Sequence, residues 1–298
     1  MTTSADPSSE GENRLAGALF SRVLVALTGT EGSAVLIETA CLAARATDAE
    51  VAGVYVREQA LADLVALPFA TILAPGRGEA ETVSPEAVER AWARAEAACR
   101  NALHALLPAR PAPFETVAGR MEAVIAGRAA PGDLVVLGAG AGLWPTTSEA
   151  LVKAAAANAG AVLLVPAGIS HRRGPIVAID DGDLAGSGTV RLAARIARAG
   201  HRRLALLALA APGGHEALAV RARTLTDGPF SLHGWPVDRA DEIADAIACL
   251  APSMVVADLS GAPFEGGGAL ERALRRIRAP VLLLSGDAAR RMAGIPAP

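Results

Sequence analysis

Short aliphatic runs alternate with helix-patterned stretches along this chain, and the whole alternation occurs twice, the second run offset from the first by about 150 residues. Strands separated by helices pair side by side in parallel, because each crossover must return over a face of the sheet. The runs are continuous rather than alternating apolar and polar, so both faces of each sheet are expected to be covered. A duplicated α/β unit therefore fits the pattern better than one large sheet.

In the first half the predicted strands are Arg22–Leu27, Glu50–Val56, Phe114–Val117, Asp133–Leu137 and Ala161–Val165. Helical periodicity runs over Ser33–Arg45, from Ser84 to about Leu107, over Met121–Arg128 and over Ser148–Asn158. Ser84-Pro85-Glu86 supplies an N-cap, a proline at the first helical position and an acid in the first turn. Between Arg57 and Ser84 no clean period survives, and the stretch reads as a long surface excursion. The second half is shorter, with strands Pro175–Ile179, Arg203–Leu209, Phe230–Trp235, Met254–Ala257 and Pro280–Leu284. Its helices are expected at Ser187–Ala199, Glu216–Arg223, Arg239–Leu250 and Leu270–Ile277. These limits divide the chain into a disordered leader (1–19), a first domain (20–168), a second domain (169–288) and a tail (289–298), with Ala167–Gly174 as the crossing between the halves.

Composition removes several function classes. Aromatic residues are 3% of the 298, too few for a base-stacking platform. A net charge of -3 and a pI near 6.0 provide no basic field for nucleic acid or anionic lipid. Lys153 is the sole lysine, so Schiff-base chemistry would rest on one position. The polar start of the chain lacks an apolar segment of signal-peptide type, and no apolar run reaches the ~20 residues of a membrane span, so a cytoplasmic protein is expected. Cys41, Cys99 and Cys249 are far apart on helical stretches and read as reduced core thiols.

Four places resemble the universal stress protein family. Leu24 to Ser33 (LVALTGTEGS) is similar to the family's opening strand and turn, and Ile176 to Asp180 (IVAID) is its second copy. At the ends of the two halves a helix carrying charged residues runs into a short aliphatic strand, closely in Glu271 to Leu284 and more loosely in Lys153 to Val165. The resemblance implies two tandem flavodoxin-like domains, each a five-stranded parallel sheet of order 3-2-1-4-5 with helices on both faces. It also implies a ligand crevice between strands one and four, where open α/β sheets bind ligands. In the first half that crevice would be lined by Thr28, Gly29, Thr30, Gly138, Gly140 and Gly142, and in the second by Asp180 and Asp181 with Gly261, Gly267 and Gly268. The ligand of many family members is ATP, so ATP or another adenine nucleotide is the implied cofactor.

Both phosphate loops depart from the family's pattern of Gly, two residues, Gly, nine residues and Gly-Ser or Gly-Thr. Leu151 stands thirteen residues after Gly138, where the last pair should begin, and Gly261 lies too close to Gly267-Gly268 for the usual spacer. Thr28 replaces the family's adenosine-side aspartate in the first half, whereas Asp180 keeps it in the second. Other motifs carry less. Gly138-x-Gly140-x-Gly142 places Leu143 where a dinucleotide loop needs glycine. Twelve positions from Asp180 or Asp181, a calcium loop would end at Arg191 or Leu192 instead of glutamate. The five histidines show no metal-ligand spacing, and Ser33 and Ser187 read as helix starts.

The expectation is a non-enzymatic stress-response or regulatory protein with degenerate nucleotide loops. Its two halves would form an internal pseudo-dimer through their last strands, since apolar edges need cover. An adenine-nucleotide switch using Asp180 and backbone near Gly261 and Gly266 to Gly268 is the alternative, and a nucleotide hydrolase the remaining one. A protein partner or a second copy of the chain completes the expected associations.

Overall fold

The computed structural model describes residues 19–28, 33–67, 71–73, 80–82, 84–108, 112–138, 149–166, 168, 173–180, 186–210, 215–226, 228–236, 242–259 and 276–294. The first half runs β1 (Arg22–Leu27), α1 (Ser33–Thr47), β2 (Glu50–Glu58), α2 (Gln59–Val65), β3 (Thr71–Leu73), β4 (Ala80–Thr82) and α3 (Pro85–Leu106). It continues through β5 (Phe114–Gly119), α4 (Met121–Ala126), β6 (Asp133–Gly138), α5 (Glu149–Asn158) and β7 (Ala161–Val165). The second half holds β8 (Ile176–Asp180), α6 (Gly186–Ala199), β9 (Leu204–Ala210), α7 (His215–Leu225) and β10 (Phe230–Pro236). Last come α8 (Ile243–Cys249), β11 (Met254–Asp258), β12 (Val281–Leu284) and α9 (Gly286–Ala293).

Within each half the strands are parallel and lie in the order 3-2-1-4-5, as β5-β2-β1-β6-β7 and β10-β9-β8-β11-β12. The two layers are not separate. β7 and β12 pair antiparallel, Ala161 opposite Leu284 and Leu164 opposite Val281, so the sheet is continuous across ten strands. The sequence favours duplicated units over one large sheet; the duplication is there, and hydrogen bonds across its seam make the sheet single. Each of these strands would otherwise end its half with a row of unpaired N–H and C=O groups among buried aliphatic side chains.

Alternate strand residues feed two cores. Val23, Val25, Ile176, Ala178, Met254 and Val256 face α1, α3, α6, α7 and α9, while Leu24, Ala26, Val177, Ile179, Val255 and Ala257 face α4, α5 and α8. Each core runs through the seam. α1 and α6, the helices that follow the first strand of each half, pack together, and Arg195 Nε donates to the carbonyl of Ala46 at 2.9 Å. α6 also lies close against α9: a Cβ at Gly188 on α6 would run into the backbone carbonyl of Ala289 on α9.

The excursion after Arg57 has structure that periodicity did not show, namely α2 and the separate antiparallel hairpin β3-β4, whose strands are only three residues long. α3 starts as its N-cap predicts, Ser84 Oγ accepting from Ala87 N at 3.1 Å. Cys41 and Cys99 are buried as expected, but Cys249 is exposed, because the buried stripe of α8 is Ile243, Ala244, Ala246 and Ile247. Residues 286–293 form α9, so the stretch set apart as a tail begins inside a packed helix. Ser285 caps that helix and also donates to the carbonyl of Gly160 at 3.0 Å, tying the chain's end to the first half. Among the described residues no helix is long and apolar enough to cross a membrane.

Candidate functional site

Parallel strands present their carboxyl ends at one edge of a sheet, and a crevice opens where the strand order reverses. That point lies between β1 and β6 in the first half and between β8 and β11 in the second. Because the seam is antiparallel, the two half-sheets run in opposite directions. Their mouths therefore open toward opposite ends of the molecule, and one small ligand cannot span both.

The first mouth is modest. Thr28 follows β1 and is half-buried, and Gly138 ends β6. A Cβ at Gly138 would stand 2.7 Å from Leu36 Cδ1, so the side chain of Leu36 from α1 occupies the room that the missing side chain leaves. Gly29, Thr30, Gly140 and Gly142 lie outside the described residues. At the far end of the same strands Arg22 clamps Asp133, with Nη2 at 2.5 Å from Oδ2 and Nε at 3.3 Å from Oδ1, which ties the starts of β1 and β6.

The second mouth carries charge. Asp180 ends β8 and is 2% exposed. Met254 stands opposite Ile176 and Val256 opposite Ala178, and the same spacing brings Asp258 at the end of β11 level with Asp180. By strand alternation both aspartates face the side of the sheet that carries α6 and α7. Arg221 of α7 forms an ion pair with the Asp180 carboxylate through Nη2. Thr189 in the first turns of α6 is fully buried and donates to the carbonyl of Ile179 at 2.9 Å, fixing the helix start against the strand end. Asp181, Gly261, Gly267 and Gly268 lie outside the described residues.

Of the residues expected in the crevices, Thr28 and Gly138 meet at one mouth and Asp180 defines the other. Arg221 was not anticipated. Its signal is legible in retrospect: Leu218, Ala222 and Leu225 form the inner stripe of α7, and a cation beside that stripe requires an acidic partner in the core. Among the described residues no group of His, Cys, Asp and Glu is arranged to hold a metal ion.

A third polar cluster lies where β2 ends. Arg57 contacts Glu89 and Glu96 of α3, each at 3.2 Å, and Arg100 contacts Glu96 at 2.7 Å. Burial alone would push the Glu96 carboxyl up, but hydrogen bonds from Thr116, Arg57 and Arg100 outweigh it and hold the group below the usual carboxylate range. The neighbouring Glu58 goes the other way. Burial raises it, against a hydrogen bond from the backbone N–H of Met121 at the start of α4, and the Glu122 charge adds to the rise.

A duplicated, doubly wound α/β sheet with a strand-order reversal in each half is the class that this fold defines. No protein-family model matches the sequence, and no curated protein matches it. Solved structures do. A universal stress protein from Archaeoglobus fulgidus superposes with a TM-score of 0.57 over 90% of this chain and 97% of its own, at 12% identity. A protein of unknown function from Pseudomonas aeruginosa gives 0.53 over 92% and 96%, at 16% identity. The chain has the universal stress protein fold in its tandem form.

Proposed function

We propose that this chain is a non-enzymatic regulatory protein of the stress-response type, acting in the cytoplasm, with residues 20–168 as one unit and a second that starts at 169 and takes in α9. The observation that carries the reading is the difference between the two mouths. Leu36 fills the shelf at Gly138, so the first half serves as scaffold, while the second presents a buried, ion-paired carboxylate at its strand end. A carboxylate held by a guanidinium is an acceptor fixed in place. Near full-length likeness of fold to a universal stress protein supports the same reading.

The ligand reading that Asp180 favours is an adenine nucleotide in the second half. Ribose hydroxyls and the adenine amine are donors, and Asp180 and Asp258 offer acceptors side by side at the mouth. Ligand at a hundredfold over its dissociation constant stabilises the folded state by about 2.7 kcal/mol, which corresponds to a melting shift of roughly 4 °C for a cooperative chain of this size. Millimolar ATP, ADP or AMP is expected to produce such a shift in the native protein and a much smaller one in Asp180→Asn. Absence of any shift, with no nucleotide released on denaturing the purified protein, removes the ligand reading. Robust, mutation-sensitive hydrolysis of nucleoside phosphates would remove the non-enzymatic one.

A further inference from the structure

β2 turns Tyr55 and Arg57 to the same side of the sheet, two residues and about 6.8 Å apart along the strand, beneath α3. Tyr55 is the only tyrosine in the chain and is 0% exposed. Its Oη is buried, as is Arg57 Nε, and among the described residues neither meets a hydrogen-bonding group of the protein. Such orphans are rare in folded proteins, and two on one face of one strand call for a shared partner.

The rest of the Arg57 guanidinium is committed. Nη1 holds Glu89, Nη2 holds Glu96, and the group lies 5.9 Å from the centroid of the Trp92 ring. Glu89, Trp92 and Glu96 fall on successive turns of α3, whose own buried residues, Cys99 and Leu103, come only later in the helix. Arg57, together with Thr116 of β5 on Glu96, thus holds this part of α3 to the sheet. Two arginines and two glutamates balance in this cluster, so it has no net charge to attract an ion. The missing partner must accept from the Arg57 Nε–H and also satisfy a phenol, and a neutral molecule with both capacities and minimal size is water.

We infer that one ordered water is bound between β2 and α3, accepting from Arg57 Nε and hydrogen-bonding Tyr55 Oη, and that it completes an arginine latch holding the early turns of α3 over the end of β2. The electrostatics agree. Burial pushes the Tyr55 phenol up, the neighbouring Cys99 adds to the rise and Arg57 opposes it.

Labelling with 3-fluorotyrosine yields a single fluorine resonance, and magnetisation transfer from a long-lived water to that position is expected. Tyr55→Phe keeps the core filled but strands Arg57 Nε and the water. It is expected to lower the melting temperature by roughly 2–4 °C and to speed amide exchange over residues 85–98 by about tenfold. Arg57→Lys, which keeps the charge and leaves the tyrosine alone, is expected to speed exchange in the same segment while the β1, β6 and β7 amides stay protected. An unchanged or raised melting temperature in Tyr55→Phe would overturn the water, because removing an unpaired hydroxyl does no harm. Uniform exchange across the chain in Arg57→Lys would overturn the latch.

Discussion

Glu58 sits where β2 passes into α2, and its raised carboxyl has a consequence for stability. A group whose folded-state pKa lies above its unfolded one contributes stability that is complete below the unfolded value, about 4.5 here, and is lost as pH rises through the folded value. At neutral pH the charged Glu58 is therefore a weak point. Glu58→Gln keeps an acceptor for Met121 N and removes the charge, so the variant is expected to melt roughly 2 °C higher than the parent at pH 7, with the difference closing below pH 4.5. Melting curves at the two pH values check this. Gly188 makes the opposite case: the backbone of Ala289 stands where a side chain would go, so Gly188→Ala should cost about 1–3 kcal/mol by urea denaturation. Nothing in the sequence around Gly188 marks it, since the contact is with a residue a hundred positions away.

The elements divide into those that carry their own signals and those that do not. The ten strands of the main sheet and the helices α1, α3 and α6 were legible because each combines a long enough apolar period with a cap or turn residue. β3 and β4 were not, since three residues show no period, and α2 was hidden by the exposure of Leu61 and Leu64 on a helix that covers little. α9 escaped for another reason. Only a narrow stripe of Ala288, Ala289 and Met292 is buried, against α6, with Arg191 donating to the carbonyl of Met292 at 3.0 Å, while Asp287, Arg290 and Arg291 break the apolar period. Met292→Ala is expected to cost at least about 2 kcal/mol, measured by urea denaturation. At the seam, Leu283 pairs with Val162 on one side and Ala257 on the other, so Leu283→Pro should cost about 3 kcal/mol or more.

At the scale of the molecule, a shared sheet and two cores that cross the seam couple the halves. Trp92 belongs to the first half and Trp235 to the second, so each can report its own half in a variant lacking the other tryptophans. The two reporters are expected to give the same urea midpoint in one cooperative transition. Two separate midpoints would mean that the seam does not couple the units.

Strand number, strand direction and the doubled order of elements follow from local alternation, because hydrophobic period and turn chemistry are properties of neighbours along the chain. Asp180 was marked as a site residue by resemblance, because it stands where the universal stress protein pattern has an aspartate at the end of its first strand. Its ion pair with Arg221, the filling of the Gly138 shelf by Leu36 and the opposed direction of the two mouths all depend on which distant segments come together. Those pairings are settled by packing between segments far apart in the sequence; the local pattern marks an apolar strand edge or a cation beside an inner stripe as needing a partner, but not which partner it meets or in which direction.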